Sequence, residues 1–119
     1  MPTNRETGTA GEKLAAEYLA GKGYVIQHLN WRADGCEIDI IARHGNTFVF
    51  TEVKTRNGSY FGWPEKAVNK TKKQHIAKAA NLFMDEFKID TEIRFDIISI
   101  IRKKEGENEI YHIEDAFVP

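Results

Sequence analysis

Three ionisable residues, Asp39, Glu52 and Lys54, stand inside runs that otherwise read as apolar strands, Cys36-Glu37-Ile38-Asp39-Ile40-Ile41 and Phe48-Val49-Phe50-Thr51-Glu52-Val53-Lys54. Charge taken out of water is costly unless it is paired or bound to a metal. Successive strand side chains alternate between faces, so Glu37 shares a face with Asp39, and Glu52 with Lys54. A tight turn at Gly45-Asn46 pairs His44 with Thr47 and sets the register of the hairpin. On that register Asp39 faces Glu52 and Glu37 faces Lys54; a four-residue loop over 44–47 preserves it and a three-residue loop breaks it. Opposed residues hold their Cβ atoms about 4.5–5.5 Å apart, where like charges repel. Two carboxylates that close either share a proton or hold a cation.

Oxygen ligands with open positions favour a hard ion, Mg²⁺ or Mn²⁺. Such an ion orients a water, lowers its pKa and stabilises the charge of a phosphodiester in its transition state. Lys54, one step along the same face, is placed to position that water or to neutralise the phosphate. A second reading needs no metal: Glu37 and Lys54 form a buried ion pair, with Asp39 near the sheet edge. Spacing alone serves the two readings equally.

The elements that must position these residues are legible from pattern. Thr9-Ala10-Gly11-Glu12 fits a capping box, followed by Leu14, Ala15, Tyr18 and Leu19 at helical spacing, with Gly21 and Gly23 ending the helix. Tyr24–Leu29 reads as a first strand, and the two runs above as the second and third. A loop from Asn57 to Trp63 leads to Pro64. Thr71-x-x-Gln74 signals a second helix with Ile76, Ala79, Ala80, Phe83 and Phe87 on one face. Arg94–Ile101 is a strongly apolar strand, and Ile110–Ile113 a last one after the polar turn at Glu107-Asn108. The expected fold is an α/β sandwich around a mixed central sheet.

Composition bounds the function. At 119 residues the chain is one domain, residues 1–119, with residues 1–8 expected as a flexible N-terminus. Hydrophobic residues make up 41% and charged residues 29%, as in ordinary globular proteins. The N-terminus lacks the apolar run of a signal peptide and no stretch approaches membrane-spanning length, so a cytoplasmic location with no membrane partner is expected. The single cysteine, Cys36, excludes an internal disulfide, and four scattered histidines give no structural zinc set. The net charge of −1 conceals an asymmetry: residues 54–78 carry seven basic side chains against one acid, and residues 79–119 carry five against ten acids. A basic face of that kind suits a polyanion, although a solvated lysine-rich helix accounts for it equally well.

Asp39 followed by Glu52-Val53-Lys54 across a short hairpin resembles the D…(D/E)-x-K signature of the restriction-endonuclease-like PD-(D/E)xK superfamily. Around it stand, in order, Gly11-Glu12-x-x-Ala15, Gly23-Tyr24, Asn30-x-Arg32, Glu37-Ile38-Asp39, Glu52-Val53-Lys54-Thr55-Arg56, Ala67-Val68 with Lys72, Arg94-Phe95-Asp96 and Ala116-Phe117. Together, over residues 8–117, they resemble a small bacterial family of predicted endonucleases distantly similar to archaeal Holliday-junction resolvases. That resemblance implies an α-β-β-β-α-β core, with a mixed central sheet flanked by helices. It implies a divalent metal, Mg²⁺ or Mn²⁺, held by Asp39, Glu52 and the main-chain carbonyl of Val53, with Lys54 as the catalytic lysine. In the resolvases an acidic residue of the first helix joins the site. Glu12 occupies that position, and reads equally as the reciprocal partner of Thr9 in the capping box. Glu37 belongs to the motif without an assigned role.

Where the family expects a glycine before Glu37, this chain has Cys36, which reads as a core residue sharing a face with Ile38 and Ile40. The Pro-Asp of the superfamily's name is absent. Arg56, Lys72, Lys70 and Lys73 are candidate phosphate contacts, with the positive end of the second helix assisting. Tyr60, Phe61 and Trp63 are candidates for base stacking or for covering the core. Arg94 and Asp96 read as structural residues at the sheet end. The expected function is metal-dependent hydrolysis of phosphodiester bonds in DNA, branched or otherwise structured, with a homodimer implied by the resolvase likeness. Two other classes remain open: a nucleic-acid-binding module of the same fold without efficient cleavage, and an accessory protein binding a repair or recombination partner.

Overall fold

The computed structural model describes residues 4–57, 68–103 and 106–118, with the side chains of residues 4–9 and 57 outside the description. Its elements run α1 (Asn4–Gly21), β1 (Val25–Ala33), β2 (Cys36–His44), β3 (Thr47–Asn57), α2 (Lys70–Phe87), β4 (Ile93–Arg102) and β5 (Asn108–Ile113). The strands form one sheet in the order β1-β2-β3-β4-β5. β3 and β4 are parallel, with Glu52 beside Ile97 and Lys54 beside Ser99, because the chain crosses over through α2 between them. The other neighbours are antiparallel. The aromatic loop residues Tyr60, Phe61 and Trp63 lie outside the described residues. No described helix is long and apolar enough to cross a membrane.

The sheet has a separate apolar cluster for each helix. Ala15 and Leu19 of α1 pack with Tyr24, Ile40, Ala42, Val49, Val53, Ile98 and Ile100. Ile76, Ala79, Ala80 and Phe83 of α2 pack with Cys36, Ile38, Ile41, Phe50, Phe95 and Ile97. The helical spacing of the α2 set is the one expected, except that Phe87 is 46% exposed.

Both helix starts differ from the sequence reading. α1 begins at Asn4, so Thr9 falls inside it and Glu12 is an interior helical residue rather than half of a capping box. α2 is capped by Asn69, in extended backbone, whose side-chain oxygen accepts the Lys72 amide at 2.8 Å. Thr71 already lies in the helix. Thr71 lies two residues past its helix cap and Thr9 five residues past the first residue of α1, so in both cases the helix is entered upstream of the Thr-x-x-Glu/Gln pattern.

The hairpin register is the expected one. Gly45, at φ 62°, begins a two-residue turn, and the ladder runs from His44 opposite Thr47 to Ile40 opposite Thr51. The alternation of β2, by contrast, is broken. Ile38 packs on the α2 side and Ile40 on the α1 side with Ile41 back on the α2 side, so Cys36 shares its face with Ile38 but not with Ile40. Opposite this switch, Asn30 of β1 has a left-handed φ of 52°, between the paired positions Leu29–Ile40 and Trp31–Ile38. The ladder steps over Asn30 and Asp39, which leaves the Asp39 carboxylate to enter the gap where β2 and β3 separate.

One close contact sets α1 against that gap. A Cβ built on Gly11 would lie 1.9 Å from Oγ1 of Thr55 and 3.2 Å from its Cβ, so only glycine lets the helix lie this near β3. Gly11→Ala is therefore expected to destabilise the fold by about 1–2 kcal/mol, overpacking outweighing the helix propensity gained. Thr55→Ala should recover most of that loss in a urea-unfolding double-mutant cycle. A Gly11→Ala protein as stable as its parent would show that α1 has room to retreat.

Candidate metal and phosphate site

Asp39 is the residue at which the two sides of the sheet meet. It is 9% exposed, and its Oδ2 accepts the Val53 amide at 2.8 Å, two residues along β3 from the last β2–β3 ladder pair, Ile40–Thr51. The carboxylate thereby replaces the main-chain partner that β2 no longer offers. A strand residue presents its N–H and C=O on the same edge, so the Val53 carbonyl faces this gap as well.

From the α2 side comes Glu52, 3% exposed and close enough to Asp39 for that carboxylate's charge to act on it. The Asp39–Glu52 juxtaposition expected from the register is therefore present. Oε1 of Glu52 receives two ammonium groups, Lys72 Nζ at 3.4 Å and Lys54 Nζ at 3.8 Å. From the α1 side comes Glu12, whose Oε2 is buried without a hydrogen-bond partner among the described residues. One carboxylate oxygen each of Glu12, Glu37 and Asp39 lie within 4.8 Å of one another.

Glu37 does not reach Lys54, as the extended register had placed it. It pairs across the other ladder with Arg32, Nε to Oε2 at 3.1 Å, where the β1–β2 register sets the two residues opposite. The metal-free reading, a buried Glu37–Lys54 pair, is thus replaced by Glu37–Arg32 and Lys54–Glu52. Arg32 and Asn30 belonged to a recognised motif but had no role, because the first strand was expected to end at Leu29; β1 runs on to Ala33 and sets Arg32 opposite Glu37, with Asn30 beside Asp39.

Among the basic candidates, Lys72 joins the site directly. Lys70 is exposed on the first turn of α2, and Lys73 holds its ammonium 5.6 Å from the ring of Phe117. Arg56 continues the Glu52–Lys54 face by strand alternation. Lys78 pairs with Asp34 at 2.6 Å, at the β1–β2 turn.

Burial and mutual repulsion govern the protonation of these acids. Burial raises Asp39, against the opposing pull of the Val53 amide, the Lys72 charge and the Glu52 hydrogen bond. Burial, then the charge of Asp39, pushes Glu52 up to about 7, while Lys72 and Lys54 draw it down. Glu12 is raised first by burial and further by Asp39 and Glu37, with Asn30 and Arg32 opposing. Burial and their mutual repulsion thus make both Asp39 and Glu52 harder to ionise than ordinary carboxylates. Two carboxylate oxygens, Oε2 of Glu12 and Oε2 of Glu52, are buried without a hydrogen-bond partner among the described residues. An oxygen-only donor set with orphaned acceptors fits a hard divalent cation.

The sign of these shifts gives a test. A carboxylate whose folded pKa lies above its unfolded value binds a proton that the unfolded chain has already released. With Glu52 moved from 4.5 to about 7, metal-free stability should fall as pH rises across that interval, by about 3 kcal/mol at most. Added Mg²⁺ or Mn²⁺ should raise the melting temperature at pH 8 and do much less at pH 5, where protons occupy the acids. Equal stabilisation at both values would mean that the ion binds elsewhere.

A mixed five-stranded sheet between two helices, with a buried acid cluster and two ammonium groups at the gap between β2 and β3, defines an α/β protein with a polar site at a strand divergence. By sequence, the chain belongs to the uncharacterised protein family UPF0102, whose model matches residues 11–100. It is similar to a UPF0102 protein of Christiangramia forsetii, 47% identical over 117 residues and covering 98% of each chain. A UPF0102 protein of Thermodesulfovibrio yellowstonii is 47% identical over 112 residues, 94% of this chain and 96% of its own. One of Bacteroides thetaiotaomicron is 44% identical over 119 residues, all of this chain and 98% of its own.

Proposed function

We propose that this protein is a Mg²⁺- or Mn²⁺-dependent endonuclease that hydrolyses phosphodiester bonds in DNA, branched or otherwise structured, in the cytoplasm. The observation that carries the reading is the buried Asp39–Glu52 pair, with an orphaned Glu52 oxygen and two lysines beside it. The element order α1-β1-β2-β3-α2-β4 is the one the restriction-endonuclease-like likeness implies, and it supports that placement.

In this reading Asp39, Glu52 and the Val53 carbonyl hold the ion, and Glu12 closes the site from α1. The bound ion supplies an activated water and charge stabilisation for the phosphate. Asp39 holds its geometry through the Val53 amide, so the carboxylate is oriented before any ligand arrives. Lys54 orients the attacking water or neutralises the phosphate. Arg56, Lys70 and Lys73 contact flanking phosphates, and a second protomer supplies the second cut of a two-strand cleavage.

A nicking assay on branched, flapped and linear DNA tests this, run with Mg²⁺, with Mn²⁺ and with a chelator. Metal-dependent cleavage is the expected result. Tight DNA binding without cleavage under any of these conditions would favour the binding module. An absence of both would leave the accessory role.

A further inference from the structure

Glu52 has two cationic partners on one oxygen and none on the other. Lys72 is the nearer, at 3.4 Å. Its main chain is fixed, because its own amide is the one the Asn69 cap holds at 2.8 Å. Four residues on, Ile76 is 2% exposed in the α2-side core, so the helix face bearing Lys72 is seated against the sheet. The side chain beyond that anchor is long and 39% exposed, with freedom to turn outward. Lys72 is thus a pinned, solvent-reaching cation lying on the acids that would ligate the ion.

We infer that Lys72 is the resident counter-ion of the Asp39–Glu52 pair, displaced when a divalent cation binds and then used to hold a non-bridging oxygen of the scissile phosphodiester. The inference rests on the nuclease reading and adds a second substrate-contacting lysine to it. An ammonium and a divalent cation compete for one carboxylate, and an ammonium beside a divalent cation is repelled. A phosphodiester relieves that repulsion. Metal and DNA should therefore bind cooperatively, each lowering the cost of the other.

Lys72→Met and Lys72→Arg distinguish this role from a structural one when Mn²⁺ binding without DNA is measured by calorimetry alongside cleavage at saturating Mn²⁺. Lys72→Met should bind Mn²⁺ about tenfold more tightly than the parent, having lost the competing charge, yet cleave about a hundredfold more slowly. Lys72→Arg should keep the parent's Mn²⁺ affinity and recover most of the cleavage. Loss of Mn²⁺ binding and cleavage together in Lys72→Met, in a protein with the parent's melting temperature, would overturn the inference and make Lys72 a structural support. Cleavage by Lys72→Met at the parent's rate would overturn it too. A parent that binds no Mn²⁺ would sink the inference with the nuclease reading, a result distinct from either of the others.

Discussion

Asp39→Asn is expected to slow metal-dependent DNA cleavage by at least about a thousandfold, the loss of roughly 4 kcal/mol of transition-state stabilisation. The substitution is nearly isosteric. Its amide oxygen can still accept the Val53 N–H, so the junction of β2 and β3 keeps the hydrogen bond that closes it. What disappears is the charge shared between the Glu12–Glu37 side and the Glu52 side of the site. With that charge gone, Glu52 loses the repulsion that raises its pKa after burial. Metal-free Asp39→Asn at pH 8 should consequently be as stable as the parent or more so, while Mg²⁺ no longer raises its melting temperature. Initial rates in Mg²⁺ and thermal unfolding with and without a chelator read both effects. A variant within tenfold of the parent's rate would remove Asp39 from the ligand set, and with it the nuclease reading.

The same residue shows how far the sequence reaches. The hairpin was readable on the condition that Gly45-Asn46 forms a tight turn, because a tight turn fixes every later pair. Where the ladder stops was not readable. That depends on Asn30 adopting a left-handed backbone in a neighbouring strand, and on Asp39 exchanging a main-chain partner for a side-chain one. The role of Glu12 was obscured by a local motif. Thr9-x-x-Glu12 has the composition of a helix start, but Asn4–Gly8 extend the helix upstream and leave Glu12 facing the gap. Glu37 was assigned the wrong partner for a related reason: the β2–β3 ladder stops at Ile40–Thr51, short of Lys54, while β1 runs past Leu29 to Ala33 and brings Arg32 opposite. Local turn chemistry carries across a few residues, whereas the site depends on three elements meeting.

Asp96→Asn is expected to cost about 3–5 kcal/mol of stability, the penalty for removing one partner of a buried ion pair. Asp96 is fully buried and accepts four hydrogen bonds from three parts of the chain. Arg94 donates from Nε to Oδ1 at 2.8 Å and from Nη2 to Oδ2 at 2.9 Å. His112 of β5 meets Oδ2 at 2.7 Å, and the Asp115 amide meets Oδ1 at 3.0 Å. Beside it the Ala116 amide donates to the Phe95 carbonyl at 2.7 Å, so the carboxylate ties the segment after β5 to β4. An asparagine would turn an NH₂ toward donors that already point at that position, leaving Arg94 only the Tyr24 hydroxyl and the half-exposed Glu114 carboxylate at 3.8 Å. For a chain of this length the loss corresponds to a fall in melting temperature of roughly 12–20 °C. The pH dependence runs opposite to that of Glu52. Burial pushes Asp96 up, but His112, Arg94 and the Asp115 amide outweigh it and hold the pKa below 3.8. Its contribution is therefore complete above the unfolded pKa and vanishes as pH falls through the folded value. The parent should lose stability below about pH 4 along a limb that Asp96→Asn largely lacks, in urea titrations followed between pH 2 and 7. A loss under about 1 kcal/mol, the scale of an ordinary surface ion pair, would mean that Arg94 and His112 find other partners. Asp96 would then be a dispensable part of the sheet rather than its fastening.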